Sequence, residues 1–422
     1  MFKCKVLAGL LASVAALSLS AQPAPRELTL AAALAAAEAN HPELRAAAAV
    51  VEEARGRLLT ARTYPHNPVV SVEGADRSGS EGSSTDGGLA LSQELEIAGQ
   101  RGKRASVAEA DLAAAEALYV RRRREVLAGV EQAFAGAVRG RELLEVARAD
   151  IELTESLLSF EERRLDAGAG TQIEVNLARA AAGRAVRRLQ EAAAGWQEAR
   201  ARLAEAAGLD PATPPSPVGD LPSSSAALPP LEELVGRALA ERTDLAARRR
   251  DRERAERQVR LERSLAIPNL EIGAFAGSEE DDDLTGVRAG IAIPLFNRNQ
   301  GGIAESRAES DRAAAEVAAA ELAATREVAA AYAHYRAAAE AVTALEGLVV
   351  ETLGESLDLL RRAVEAGELS ATDVLLLRRE LVDGQREQIE AAGELWLAGI
   401  DLELAVGGDL AAAAGEEITD ED

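Results

Sequence analysis

The side chains best suited to reactive chemistry are few in this 422-residue chain: three histidines, one cysteine and some short charged runs. A transition-metal site needs ligands that converge. His41, His66 and His334 instead fall at a helix start, in a pre-strand loop and within a long helix, so they read as solvated or wall-facing side chains. Gly99-Gln100-Arg101-Gly102-Lys103-Arg104 superficially suggests a phosphate loop, but the first glycine of that motif and its Ser/Thr are missing. A strand-to-helix corner is the better reading. Arg121 to Arg124 is a basic run inside a helix, explained as well by a solvated face or interchain ion pairs as by a ligand site. Cys4 lies before an apolar run rather than after it, which argues against both a lipid anchor and a disulfide. No Ser, His and Asp grouping is suggested by position. The expectation is a protein that is not an enzyme, with no cofactor and no metal site.

Two turns carry more specific information. Gly168 and Gly367 can take the left-handed conformation that ends a helix. Thr171 and Ser370 sit where a side-chain oxygen can cap the next helix, and Glu174 and Asp373, three residues on, complete a capping box or place negative charge at the helix start. On local grounds these are hairpin tips.

The elements that position the tips occur twice. A shift of roughly 200 residues lays Leu95, Gln100 and Gly102 on Leu295, Gln300 and Gly302, and brings the segment Asp166 to Val175 onto Glu365 to Val374. Each half reads as helix, β-hairpin, very long helix, turn and return helix. The first covers residues 21–209, with a hairpin at about 67–96, a long helix at about 102–167 and a return helix at about 171–207. A Pro- and Ser-rich linker occupies 210–230. The second covers 231–408, with a hairpin at about 269–295, a long helix at about 302–366 and a return helix at about 370–405. An acidic tail, 409–422, ends the chain. Leading helices over Leu28 to Arg62 and Leu231 to Leu265 are each dented, near His41-Pro42 and Thr243-Asp244.

The strands show period-two alternation, as in Val70-Ser71-Val72 and Val287 to Leu295. Polar stretches, Asp76 to Gly87 and Ser278 to Thr285, suit exposed loops between them. In the first long helix Leu144, Ile151, Leu158 and Leu165 recur every seven residues, as a packed seam requires, and the second keeps three-four spacing through Leu353, Leu357, Leu360 and Val364. At 1.5 Å per residue the first long segment reaches roughly 95 Å. The fold class is mainly α with a small β part.

Lys3 and Lys5 followed by an apolar run to Leu19 have the layout of a signal peptide over residues 1–20. The formal net charge of -24 argues against nucleic acid as a partner, and aromatics at 3% fit long helices better than a compact enzyme core. Two hairpins cannot close a barrel, and an open sheet edge is not viable in lipid. A membrane-spanning reading therefore needs several chains to share one barrel, and three would give twelve strands. A soluble pair of hairpins packed on helices is the alternative.

The duplicated unit and its Gly-x-x-[Ser/Thr]-x-x-[Asp/Glu]-Val turns resemble the TolC-like outer-membrane factor family over essentially the whole chain after the leader. Leu91 to Gly102 and Ile293 to Gly301 look most like the heavy-metal efflux branch of the CzcC type. The resemblance implies a homotrimer in outer-membrane lipid, with a shared twelve-stranded barrel above a periplasmic α-helical barrel. It also implies a periplasmic adaptor and a proton-driven inner-membrane pump as partners. Gly168, Thr171, Glu174, Gly367, Ser370 and Asp373 would face the adaptor and line the periplasmic entrance. Some drug-exporting relatives lock the closed tip with an arginine soon after the second glycine; Glu368 and Leu369 stand there in this chain. An exit duct for drug efflux or type I secretion would use the same fold. A soluble periplasmic coiled-coil scaffold would explain the helices but not the duplicated amphipathic hairpins.

Overall fold

The computed structural model describes residues 27–79, 82–279, 282–366, 370–408 and 410. Gly367, residues 1–26 with the expected leader, and all of 409–422 but Leu410 lie outside the described residues.

The chain runs β1 (Glu27–Thr29), α1 (Leu30–Asn40), α2 (Pro42–Arg62), β2 (Val69–Gly79), β3 (Gly82–Leu95), α3 (Gln100–Asp166) and α4 (Gln172–Ala206). It continues through β4 (Ser216–Val218), α5 (Leu231–Glu241), α6 (Thr243–Leu265), β5 (Leu270–Glu279), β6 (Asp282–Ile291), α7 (Gln300–Ala366) and α8 (Ala371–Val406). The α1/α2 break falls at His41, because Pro42 cannot donate a helical hydrogen bond and starts a helix well. His41 caps the second piece: its Nδ1 accepts from the Glu43 amide at 3.3 Å. The α5/α6 break at Arg242 is held by charge, since Arg242 pairs with Asp244 and Glu327.

Helices α3 and α7 are 67 residues each, about 100 Å at the standard rise. Among the described residues no helix is long and apolar enough to cross a membrane. Alanine allows close helix approach, and the buried set includes Ala110, Ala114, Ala137, Ala178, Ala181 and Ala185. Apolar clusters are strung along the bundle. One surrounds Phe134 and Leu203, a second Leu234 and Leu402, and a third Leu153, Leu157, Leu360 and Val374 close to the tips.

The expected heptad is one step out of phase with the packing. Leu144 is buried, but Ile151, Leu158 and Leu165 are half-buried, and the buried stripe is Ala147, Asp150, Leu153, Thr154, Leu157 and Glu161. Apolar spacing alone misplaces this seam because two of its members are charged. The expected loops are also shorter than their composition suggested. Strand pairing runs to Gly79↔Gly82 and Glu279↔Asp282, so most of Asp76 to Gly87 and of Ser278 to Thr285 is paired strand. Backbone pairing, not polarity, decides this.

The linker is more ordered than its Pro/Ser content implied. Its β4 pairs in parallel with β1. Arg200 donates to the carbonyls of Pro214 and Pro215, Arg141 to those of Pro217 and Gly219, and the Arg200 guanidinium stacks 4.7 Å over the Trp196 ring.

Candidate functional site

The two hairpins form one four-stranded sheet in the order β2-β3-β5-β6, so β2 and β6 are edges. Residues directly opposite in an antiparallel pair share a face. One face therefore carries Val70, Val72, Leu89, Leu91, Ile272, Ala274, Val287 and Ile291. It is bare: Val72 is 80% and Val287 87% exposed, and nothing among the described residues covers them. The other face carries Ser71, Glu73, Glu94, Glu271, Arg288 and several glycines. Phe275 lies over Gly286 on this side, where an added Cβ would meet the ring at 2.5 Å. An apolar belt this large, opposite a polar, glycine-rich face, suits a sheet with lipid on one side and water on the other.

Each hairpin passes to its long helix through a corner with a left-handed residue, Gly99 (φ 68°) or Asn299 (φ 55°), and a glutamine that caps its own turn. Gln100 Oε1 accepts from Ala98 N at 2.9 Å, and Gln300 Oε1 from Arg298 N at 2.8 Å. The corners differ in what covers them. Gln100 is 1% exposed, and its Nε2 reaches Ile267 O and Asn269 Oδ1 of the second repeat. Gln300 is exposed, and its Nε2 turns back to Phe296 O at 3.2 Å. Around the first corner, Glu96 pairs with Arg104, the Tyr64 hydroxyl accepts from Glu96 N, and His66 Nδ1 lies 2.9 Å from Glu94. His66 thus belongs to a polar brace under the sheet.

Further along the bundle α3 buries a charge. The Asp150 carboxylate, 1% exposed, receives Arg378 of α8 through Nε at 2.5 Å and Nη2 at 2.7 Å, and Arg188 of α4 at 2.9 Å. One carboxylate thus ties both repeats together, with the fork geometry arginine favours. Nothing local in the sequence announces this, since Asp150 and Arg378 are 228 residues apart.

At the far end of the bundle the first tip is a complete double cap. Gly168 (φ 72°) follows α3, with Ala169 N bonded to Arg164 O at 2.8 Å and Gly168 N to Leu165 O at 2.9 Å, the two bonds of a Schellman motif. Thr171 and Glu174 then form a reciprocal capping box. The Thr171 amide, then its hydroxyl, with a contribution from Arg164, hold the Glu174 carboxyl below the usual carboxylate range. Arg164 braces the turn by donating to Ala169 O and pairing with the buried Glu161. Arg164 and Glu161 lie outside the turn motif; their three-residue spacing on α3 is the sequence signal for them.

In the second tip Ser370 Oγ accepts from Asp373 N at 3.2 Å and lies 2.6 Å from Asp373 Oδ2. Gly367, its sequence partner, is outside the described residues. Ala371 and Val374 of α8 join Leu153, Leu157 and Ala178 in one cluster, so the described tip residues gather at one end of the bundle. His41, His66 and His334 stay apart, the last 3.1 Å from Glu394. Among the described residues no group of three or more His, Cys, Asp or Glu side chains is placed to hold a metal.

An amphipathic sheet with open edges, carried on a helical stalk about 100 Å long, is the architecture of a tubular outer-membrane channel. The comparisons agree. The model of the outer membrane efflux protein family matches residues 33–209 and 234–408, and the chain belongs to that family. Its relatives include the cobalt-zinc-cadmium resistance protein CzcC of Cupriavidus metallidurans, 26% identical over 391 residues, covering 91% of this chain and 92% of that one. The pyoverdine export outer membrane protein OpmQ of Pseudomonas putida is 26% identical over 408 residues, covering 87% and 83%. Among solved structures, the outer membrane protein VceC of Vibrio cholerae superposes with a TM-score of 0.73 at 22% identity, over 90% of this chain and 96% of that one. Membership locates the chain in the outer membrane, its helices extending into the periplasm.

Proposed function

We propose that this protein is the exit channel of a tripartite efflux system, a homotrimer that exports heavy-metal cations and is fed by a periplasmic adaptor and a proton-driven inner-membrane pump. The sheet carries this reading. Its bare apolar face needs lipid, and its two open edges cannot stand unpaired in lipid, so other copies must close the ring. Three four-stranded sheets give twelve strands. In that ring the tips, Gly168, Thr171 and Glu174 with Gly367, Ser370 and Asp373, form the periplasmic entrance and meet the adaptor.

The relative named for cobalt, zinc and cadmium resistance and the net charge of -24 support a metal cargo. An equal identity to a pyoverdine exporter keeps a second cargo class, small organic chelators, in play. Mass measurement in mild detergent tests the oligomer, and a monodisperse monomer would defeat it. Expression with a metal pump and adaptor in a host lacking their duct tests the cargo. Restored growth on zinc, cobalt or cadmium is expected; restored chelator export without metal resistance favours the second class.

The entrance reading has its own test. Glu174→Gln with Asp373→Asn keeps the capping oxygens and removes six carboxylates from a trimer. In planar bilayers at low salt the double variant should lose cation preference, and the difference should shrink at high salt. Unchanged selectivity would show that these carboxylates do not line the path.

A further inference from the structure

The two hairpins keep one register. Val70 pairs with Leu91 in the first and Leu270 with Ile291 in the second, so adding 200 to one pair yields the other. Between the repeats, β3 and β5 pair as Leu95↔Leu270, Gln93↔Ile272 and Leu91↔Ala274. Among the described residues this internal seam alone joins the two repeats side by side within the sheet.

From it we infer the residue-by-residue register of the seam between copies: β6 of one copy pairs antiparallel with β2 of the next, as Leu295↔Val70, Ile293↔Val72 and Ile291↔Gly74. The inference rests on the trimer reading and applies the same 200-residue shift to the internal seam. β3 residues 91, 93 and 95 become 291, 293 and 295, and β5 residues 270, 272 and 274 become 70, 72 and 74 of a second copy.

Three observations fit this occupant. First, β3 is strand to Leu95 where β5 flanks it, whereas β6 stops at Ile291 and Leu295 N turns back onto Ile293 O at 2.9 Å. The missing partner strand explains the early stop. Second, Ile293 is 76% and Leu295 65% exposed, and the register sets them opposite Val72 and Val70, which are just as bare. A slip of one residue would instead place Ile293 against Ser71 or Glu73 on the polar face. Third, Gln100 Nε2 donates to Ile267 O across the internal seam, and the same shift aims the exposed Gln300 at Asn67 O of the neighbour. The inferred seam therefore extends β6 by four residues, 292–295, and buries the second corner as the first is buried.

The test is disulfide mapping in the full chain carrying Cys4→Ser, so that introduced thiols are the only ones. Directly opposite side chains on one face have Cβ atoms about 4.5–5.5 Å apart, within reach of a short bifunctional thiol-reactive linker and, at the near end, of a disulfide. Ile293→Cys with Val72→Cys, oxidised or bridged by a short bifunctional thiol-reactive reagent, should give covalently linked trimers. Ile293→Cys with Val70→Cys, or with Gly74→Cys, should link several-fold less. Preferential linking of an offset pair, with the trimer intact by mass, overturns the register. A second readout needs no change in the ladder: in the parent trimer, amide exchange in the 287–297 segment should be slow through Leu295. Fast exchange at 293 and 295 overturns the seam even where the cysteine variants fail to assemble. A monomeric parent protein overturns the trimer reading itself, an outcome separate from either of these.

Discussion

The two strand-to-helix corners are built alike and finished differently. Both have a left-handed residue and a glutamine that caps its own turn, yet Gln100 is sealed beneath the second repeat while Gln300, Phe296 and Leu295 lie open. The same contrast runs down the molecule. The first repeat supplies the carboxylate Asp150 that collects Arg188 and Arg378, and its tip carries the full reciprocal cap. Duplicated sequence therefore does not mean duplicated environment. The first repeat has its corner covered by the second, and the second leaves the matching surface open, where the proposed trimer would set a neighbouring copy.

The largest expected effect tests whether Asp150 is the tie between repeats. Asp150→Asn leaves two guanidiniums without their carboxylate, one of them on Arg378, which is nearly fully buried. Loss of one partner of a buried pair costs about 3–5 kcal/mol. Denaturant unfolding followed by far-UV dichroism should show a loss of that order. Asp150→Leu with Arg378→Met should recover most of it, because apolar replacement of the buried pair is close to neutral and Arg188, whose side chain is 29% exposed, still reaches water. A loss under about 1 kcal/mol for Asp150→Asn would show that the two repeats are held by packing alone.

The corners give the next effect. Gln100→Ala removes bonds to Ala98, Ile267 and Asn269 in a buried site, a cost of about 1–3 kcal/mol to the folded chain. Gln300→Ala should change the stability of a detergent-dissociated chain by less than about 0.5 kcal/mol and act on association instead. Equal losses in the two variants would erase the distinction between sealed and open corners.

At the tips the expected difference is smaller. Thr171→Ala should cost about 0.5–2 kcal/mol locally, at the upper end because both halves of its box are formed. Ser370→Ala should fall lower in the same range. Amide exchange of the first turn of α4 and of α8 compares them directly.

The last effect is one of pH. Glu174 has a lowered carboxyl pKa in the fold, so its contribution is fully present above the unfolded value of about 4.3 and is lost as pH falls through the lower folded one. Protection of the α4 first turn should decline below about pH 4 in the parent and show no such step in Glu174→Gln. A step that persists in the variant would assign it to another carboxylate.

What could be read beforehand was whatever repeats locally. The Gly168 turn, the caps at Thr171 and Ser370, and the helix breaks at His41 and near Thr243 lie within a few residues of their own signal, and the duplication shows as matched segments about 200 residues apart. What could not be read depends on partners distant in sequence. The buried stripe of α3 is hidden because Asp150 looks like a surface residue until Arg378, 228 residues away, is brought to it. The loops are shorter than composition implies because serine, glycine and aspartate are poor strand formers in isolation, whereas in a hairpin they pair by inheriting the register of Val70 and Leu91. The β1–β4 pair had no periodicity to find, being three residues on each side.

The arginine-held linker has a kinetic consequence. Because Arg141 and Arg200 grip main-chain carbonyls between Pro214 and Gly219, the span joining the repeats is short, anchored and largely indifferent to which side chains it carries. Joining two units this way turns an encounter between molecules into one within a molecule, at an effective concentration in the mM range for short tethers. In the proposed trimer, half the seams between repeats would then form at a rate independent of how much protein the cell makes. Only the remaining half must wait for diffusion in the plane of the membrane, so ring closure becomes a third-order rather than a sixth-order problem in subunit supply.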